Sequence, residues 1–192
     1  GKTFRYQGER MLEFIFSLTC GSRPEKIVLS SVRYFSDQNV EKLKNECDEL
    51  VILDKEFLAR KYNIPSYLTP DRAASVVASR YLFKGKSCTI FDFGTTFTVD
   101  YLDEKGNFEG GCISPGCHTR FRSIYRYSKS LPLLDAPEYV PEIGTDIASS
   151  INSGVISGMM FEIDGHISRK AENISVFTGG DAIYFAKRRK NS

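Results

Sequence analysis

The sequence predicts an α/β fold in two halves, and three features carry that expectation. Apolar runs at 26–32, 50–53 and from Cys88 to Phe93 are continuous but too short for helices, so they read as buried strands. Stretches with helical spacing separate them, and a strand, helix, strand succession at this spacing implies parallel pairing through a helical crossover. The strand pattern then restarts at Cys88 just after Gly85, which divides the chain into residues 1–84 and 85–192.

Composition narrows the class before any motif does. A chain of 192 residues with 41% hydrophobic and 26% charged residues can bury a core and is not a long disordered segment. The formal charge is only +2, with acids and bases interleaved except at Lys187, Arg188, Arg189 and Lys190. That run reads as a solvated helix face, and no nucleic-acid partner is expected. The five cysteines, at 20, 47, 88, 112 and 117, form no C-x-x-C pair, so a reducing compartment is expected, without a disulfide framework or structural zinc. No apolar run approaches a membrane span and no signal-peptide core opens the chain, so a soluble cytoplasmic protein with no membrane partner is expected.

In chain order, residues 2–6 alternate like a strand, and Met11, Leu12, Phe14, Ile15 and Leu18 then mark a helix that Gly21 stops. Asp37 reads as the N-cap of a helix carrying Val40, Leu43 and Cys47. Residues 55–70, with Pro65 and Pro70, read as a loop or linker. A helix opens at Asp71 and Arg72 and runs to Phe83, with Asp71 equally suited to capping and to chemistry. Strands at 97–102 and 108–113 flank a turn with Gly106 where a positive φ is needed. A packed amphipathic helix is expected over 120–130, with Phe121, Ile124 and Tyr125 on one face.

The longest helix should cover 145–167, with Ile147, Ile151, Val155, Met159, Ile163 and Ile167 recurring every fourth residue. Gly154 and Gly158 interrupt it at a cost of about 1 kcal/mol each relative to alanine, so a close approach by another helix or backbone is expected there. A final strand from Ile174 meets a Gly179-Gly180 turn and a helix that starts at an acidic residue, Asp181.

Two of these corners suit a nucleotide. In Asp92-Phe93-Gly94-Thr95-Thr96 a strand delivers one carboxylate and turns through a glycine flanked by hydroxyls. Such a turn can present backbone N–H groups and hydroxyls to phosphate while the carboxylate holds a cation or an ordered water. Glycines at 179 and 180 would let a flat base or ribose lie against the backbone.

Asp92-Phe93-Gly94-Thr95, Gly110-Gly111-Cys112-Ile113-Ser114-Pro115-Gly116 and Thr178-Gly179-Gly180-Asp181-Ala182, in this order, make the chain resemble the type III pantothenate kinases. Leu131-Pro132, Gly144 and Ser153-Gly154 extend the resemblance over nearly the whole length. It implies two ribonuclease-H-like domains of the actin-like ATPase superfamily with a cleft between them, closing over ATP. It also implies phosphorylation of the terminal hydroxyl of pantothenate, the first step of coenzyme A synthesis, by a homodimer using ATP, magnesium and potassium or ammonium.

Carried over by position, Asp71 is the general base, while Arg72 and Tyr67 bind pantothenate. Asp92 holds the monovalent cation, Gly94 and Thr95 meet the ATP phosphates, and Thr178, Gly179 and Gly180 line the adenosine. The pattern departs from the family in three places. The Asp-x-Gly-Asn-Thr turn with which the family opens is absent from the residues given, so the first domain is expected to be incomplete at its N-terminus. Tyr67-Leu68-Thr69-Pro70 runs into Asp71 without the family's spacer, and an ungapped match would use Tyr62 and Pro65 instead. Ile147 stands where a pantothenate-bonding threonine is usual, with Thr145 as a substitute. A second reading, carried by the same departures and the basic tail, is a non-catalytic relative acting as a transcription accessory protein.

Overall fold

A computed structural model describes residues 4, 9–30 and 35–190. The strand-like reading of residues 2–6 and the end of the run at 26–32 fall wholly or partly outside the described residues. The chain forms two compact units, Gly1–Ala74 and Ser75–Ser192.

The first unit alternates helices with a parallel pair of strands. Helix α1 (Met11–Thr19) precedes β1 (Lys26–Leu29), and α2 (Asp37–Asn45) leads to β2 (Glu49–Ile52). β1 and β2 pair in parallel, with Ile27 opposite Leu50 and Val28 opposite Val51, as the strand, helix, strand spacing requires. Ser36, not Asp37, caps α2 by accepting from the Asn39 N–H; Asp37 stands inside the first turn, where its charge suits the helix dipole. Lys26 and Glu49, opposite one another in the ladder, form an exposed ion pair at 2.8 Å.

The segment expected as a loop contains a helix, α3 (Lys55–Tyr62). Asp54 caps its N-terminus by accepting from Phe57 N, and Asn63 ends it in the left-handed conformation at φ 51°. Asparagine tolerates that conformation better than most residues, so two short polar side chains define a helix whose apolar pattern is only two turns long. Helix α4 (Pro70–Leu82) opens with proline at its first position, where the missing N–H costs nothing.

The second unit is a four-stranded sheet faced by helices. Strands β3 (Cys88–Phe93), β4 (Thr96–Leu102) and β5 (Phe108–Pro115) form an antiparallel meander, and β6 (Ile174–Gly179) lies parallel to β3 on its other side, giving the order β5-β4-β3-β6. The parallel β3–β6 pair needs a crossover, supplied by α5 (Cys117–Tyr127) and α6 (Ile147–Arg169), and α7 (Ala182–Lys190) follows β6. The meander with a parallel fourth strand beside its first is the ribonuclease-H-like arrangement that the resemblance implies.

Phe91, Phe93, Phe97, Val99 and Tyr101 point from the sheet into one core with Phe121 of α5, Ile151, Val155, Met159 and Ile163 of α6, and Phe185 of α7. Phe93 sits at its centre, stacked on Phe185 at 5.1 Å and tilted against Phe97 at 4.9 Å. Burying aromatic rings of this size contributes on the order of 2 kcal/mol each, which makes this cluster the main anchor of the sheet end that follows Phe93. Basic residues Lys187 to Lys190 lie on the last turns of α7, where Arg188 stacks on Tyr184 at 3.9 Å and donates to the Pro137 carbonyl.

Two expectations for the long helices need correction. α6 begins after Asp146, whose side chain accepts from Ser149 N while Ser149 Oγ accepts from Asp146 N, a capping box; Ile147 therefore starts the helix and stands exposed. A four-residue spacing drifts around a helix, which is why Ile147 leaves the stripe that Ile151, Val155, Met159 and Ile163 keep. Gly154 and Gly158 face open space, with nothing within 4 Å of an added Cβ, so no close approach among the described residues explains them.

At the far end of β4, the Tyr101 hydroxyl lies 2.6 Å from His166 Nδ1 of α6. Burial, aided by Arg169, holds the imidazole below the ordinary histidine value, with Glu162 opposing. The unfolded chain therefore takes up a proton here before the folded one does, so this group's contribution to stability is present above about pH 6.5 and is lost as pH falls below it. His166→Gln, which keeps a polar partner for Tyr101 without titrating, is expected to lose less melting temperature than wild type between about pH 7.5 and pH 5. Equal losses would remove His166 from the acid response.

Candidate functional site

β3 and β6 run in the same direction and end together, so the segments leaving both strands lie side by side. Ligands in open α/β sheets bind at such carboxyl ends. The register places Asp92 between Thr98 of β4 and Thr178 of β6, and Phe93 beside Gly179. Adjacent partners share a sheet face, so one carboxylate and two hydroxyls project together.

Gly179 is required at this point. Its φ is +95°, and a Cβ there would stand 2.5 Å from Asp92 Oδ1 and 2.6 Å from both N and O of Phe93. The Asp181 N–H donates to the Phe93 carbonyl at 3.3 Å, tying the segment before α7 to the end of β3. The carboxylate thus lies directly over the bare glycine backbone, and Gly180 continues the turn into α7.

On its other side the end of β3 turns through Gly94 and Thr95, both exposed. Gly94 N donates to Thr96 O at 3.1 Å, closing the turn. The corner between β5 and α5 packs against it: Gly116 N donates to Thr95 O at 3.0 Å and Thr119 Oγ1 donates to the same oxygen at 2.6 Å. A Cβ on Gly116 would come within 2.1 Å of Gly94 O, so this contact also admits only glycine.

The oxygens around Asp92 suit a hard cation. Thr98 is 5% exposed, and its Oγ1 is buried with no hydrogen-bond partner among the described residues. An orphaned hydroxyl beside a carboxylate and a second threonine is an oxygen-only donor set, the type that binds alkali and alkaline-earth ions rather than thiophilic metals. No cluster of three or more His, Cys, Asp or Glu side chains placed to hold a metal occurs among the described residues.

The structure brings Asp92, Gly94, Thr95, Thr178, Gly179 and Gly180 to one end of the second unit. The other sequence-selected residues belong to the first unit: Tyr67 and Asp71 are exposed and Arg72 is buried, with Asp71 in the first turn of α4.

Several polar contacts at this end gave no sequence signal. His118 Nδ1 is 2.7 Å from Asp135 and its Nε2 is 3.6 Å from Asp181, joining α5, the following loop and the start of α7. The neighbouring Cys117 thiol is pushed up to about 12 by burial, with Asp181 and Asp135 adding to it, so it is a packing group. Arg120 donates to the Pro115 carbonyl at 2.8 Å and to Ser114 Oγ at 3.1 Å and pairs with Glu162, while Ser114 donates to Glu162 at 2.6 Å.

The family model described as type III pantothenate kinase matches residues 5–169. The chain belongs to that family. Type III pantothenate kinases of Flavobacterium johnsoniae and Cytophaga hutchinsonii are 39% and 36% identical to it, over 69% and 88% of the chain. The matched stretches span 56% of the first protein and 73% of the second. Among solved structures, a Campylobacter jejuni protein named for the Baf family of transcriptional activators aligns at TM-score 0.62 and 22% identity, covering 91% of this chain and 77% of its own. That likeness speaks for the fold alone. Among the described residues no helix is long and apolar enough to cross a membrane.

In this family member Gly179→Ala is expected to be poorly tolerated, because the methyl meets backbone on one side and Asp92 on the other and φ +95° disfavours any side chain. Urea denaturation should show a loss of about 2 kcal/mol or more. A change under about 0.5 kcal/mol would mean that β6 does not approach Asp92 this closely.

Proposed function

We propose that the chain transfers the γ-phosphoryl group of ATP to the terminal hydroxyl of pantothenate, giving 4'-phosphopantothenate and ADP. Membership of the type III pantothenate kinase family supports the reaction. The observation that carries the site is the placement of Asp92 against Gly179 with the Gly94-Thr95 turn beside it.

In this reading Gly94 and Thr95 meet the phosphates, Thr95 with its hydroxyl and Gly94 with bare backbone, its own N–H being held by the Thr96 carbonyl. Thr178, Gly179 and Gly180 flank the adenosine, where bare glycine backbone leaves room for a flat ring. Asp92, with Thr98 and Thr178 beside it, would hold potassium or ammonium. When bound, that cation supplies positive charge near the phosphates; magnesium would accompany the nucleotide. Phosphoryl transfer depends mainly on positioning and on such charge stabilisation, so these residues act chiefly by holding the phosphates still.

Asp71 accepts the proton of the pantothenate hydroxyl as that oxygen bonds to phosphorus and the bond to ADP breaks. It stands in the first turn of α4, exposed to solvent. Arg72 and Tyr67 bind pantothenate, the Arg72 guanidinium donating to the substrate's carboxylate. The working form is a cytoplasmic homodimer.

ADP release coupled to pantothenate, measured with magnesium and potassium, should be clear for the chain. It should fall about 10²–10⁴-fold in kcat for Asp71→Asn. Turnover no greater than in Asp71→Asn would remove the catalytic reading. Retained turnover in Asp71→Asn would remove only the assignment of the base.

A further inference from the structure

The Thr95 carbonyl accepts two hydrogen bonds from the β5–α5 corner, from Gly116 N at 3.0 Å and from Thr119 Oγ1 at 2.6 Å. Both lone pairs of that oxygen are therefore used, and the peptide plane following Thr95 is held from one side. A peptide is planar and trans, so the Thr96 N–H points opposite to the Thr95 carbonyl. Fixing the carbonyl on α5 thereby fixes the direction of that N–H on an exposed turn.

The corner that supplies the two donors is itself braced. Arg120 holds the Pro115 carbonyl and Ser114 Oγ, and Glu162 of α6 receives both Arg120 and Ser114. Gly116 packs so closely on Gly94 that no side chain fits between them. A line of contacts thus runs from α6 through the β5–α5 corner to the Gly94-Thr95 turn. Thr119 is its last side chain before the turn.

We propose that Thr119 is a positioning residue for the nucleotide phosphates: its hydroxyl orients the Thr95–Thr96 peptide so that the turn presents its donors to phosphate oxygens. The inference rests on the reading of Gly94 and Thr95 as phosphate-contacting. It goes further by assigning that contact's geometry to a residue outside the turn. Serine keeps the hydroxyl; valine keeps the shape without it.

Titration calorimetry of the full chain with ATP and, separately, with adenosine tests this. Thr119→Val should weaken ATP about tenfold, equivalent to about 1.4 kcal/mol, and leave adenosine within about twofold of wild type. Thr119→Ser should bind both ligands within about twofold of wild type. Thr119→Ala, which removes the hydroxyl without adding a methyl against the turn, should behave as Thr119→Val does and carries the test if that variant does not fold. Equal weakening of ATP and adenosine would show a role in folding only, and unchanged ATP binding in Thr119→Val or Thr119→Ala would show none; either overturns the proposal. A wild-type chain that binds ATP no better than adenosine would overturn the phosphate reading of the turn itself and this inference with it.

Discussion

The parallel register of β3 and β6 is the constraint on which the second unit depends. It sets Asp92 opposite Thr178 and Phe93 opposite Gly179, so that a carboxylate lies over a glycine in a conformation that other residues rarely adopt. Shift the register by one residue and every side chain on β6 changes face. Phe177 would leave the rings of Phe91 and Phe93, which it meets at 5.0 and 5.3 Å, and Thr178 would enter the core in its place. Packing on one face of the sheet therefore enforces the polar arrangement on the other.

The same packing also fixes the ends of the strands. Phe93 is the last residue of β3 and also the centre of the aromatic cluster, stacked on Phe185 of α7. The turn that follows it starts from a fixed point, and Gly116 and Thr119 then hold its outer carbonyl. In the proposed reading, donors held in this way would lose little entropy on meeting phosphate, the preorganisation on which electrostatic stabilisation of phosphoryl transfer depends.

Strands and long helices were legible in the sequence because their signal is periodic. The parallel pairing of β1 with β2, the meander of β3, β4 and β5, and the stripe of α6 from Ile151 to Ile163 all follow from apolar spacing. What escaped was set by single polar atoms. α3 depends on one carboxylate, Asp54, and on one left-handed asparagine, Asn63, neither of which alters hydrophobic periodicity. Ser36 displaces Asp37 as a cap by one position, a difference that only hydrogen-bond geometry decides. The glycine motifs marked where nucleotide chemistry could lie, but Thr119 acts on a backbone carbonyl across 24 residues and leaves no local pattern. His118 meets Asp135 and Asp181 through tertiary folding alone.

The central claim is that the turn after β3 and the turn after β6 hold one nucleotide from two sides. Amide chemical shifts followed during titration with ADP test it most directly. Gly94, Thr95, Gly179 and Gly180 should shift together along one saturating curve, with little change in the amides of Lys105 and Gly106 at the opposite end of the sheet. Movement of one turn without the other, or larger shifts at the opposite end, would contradict it.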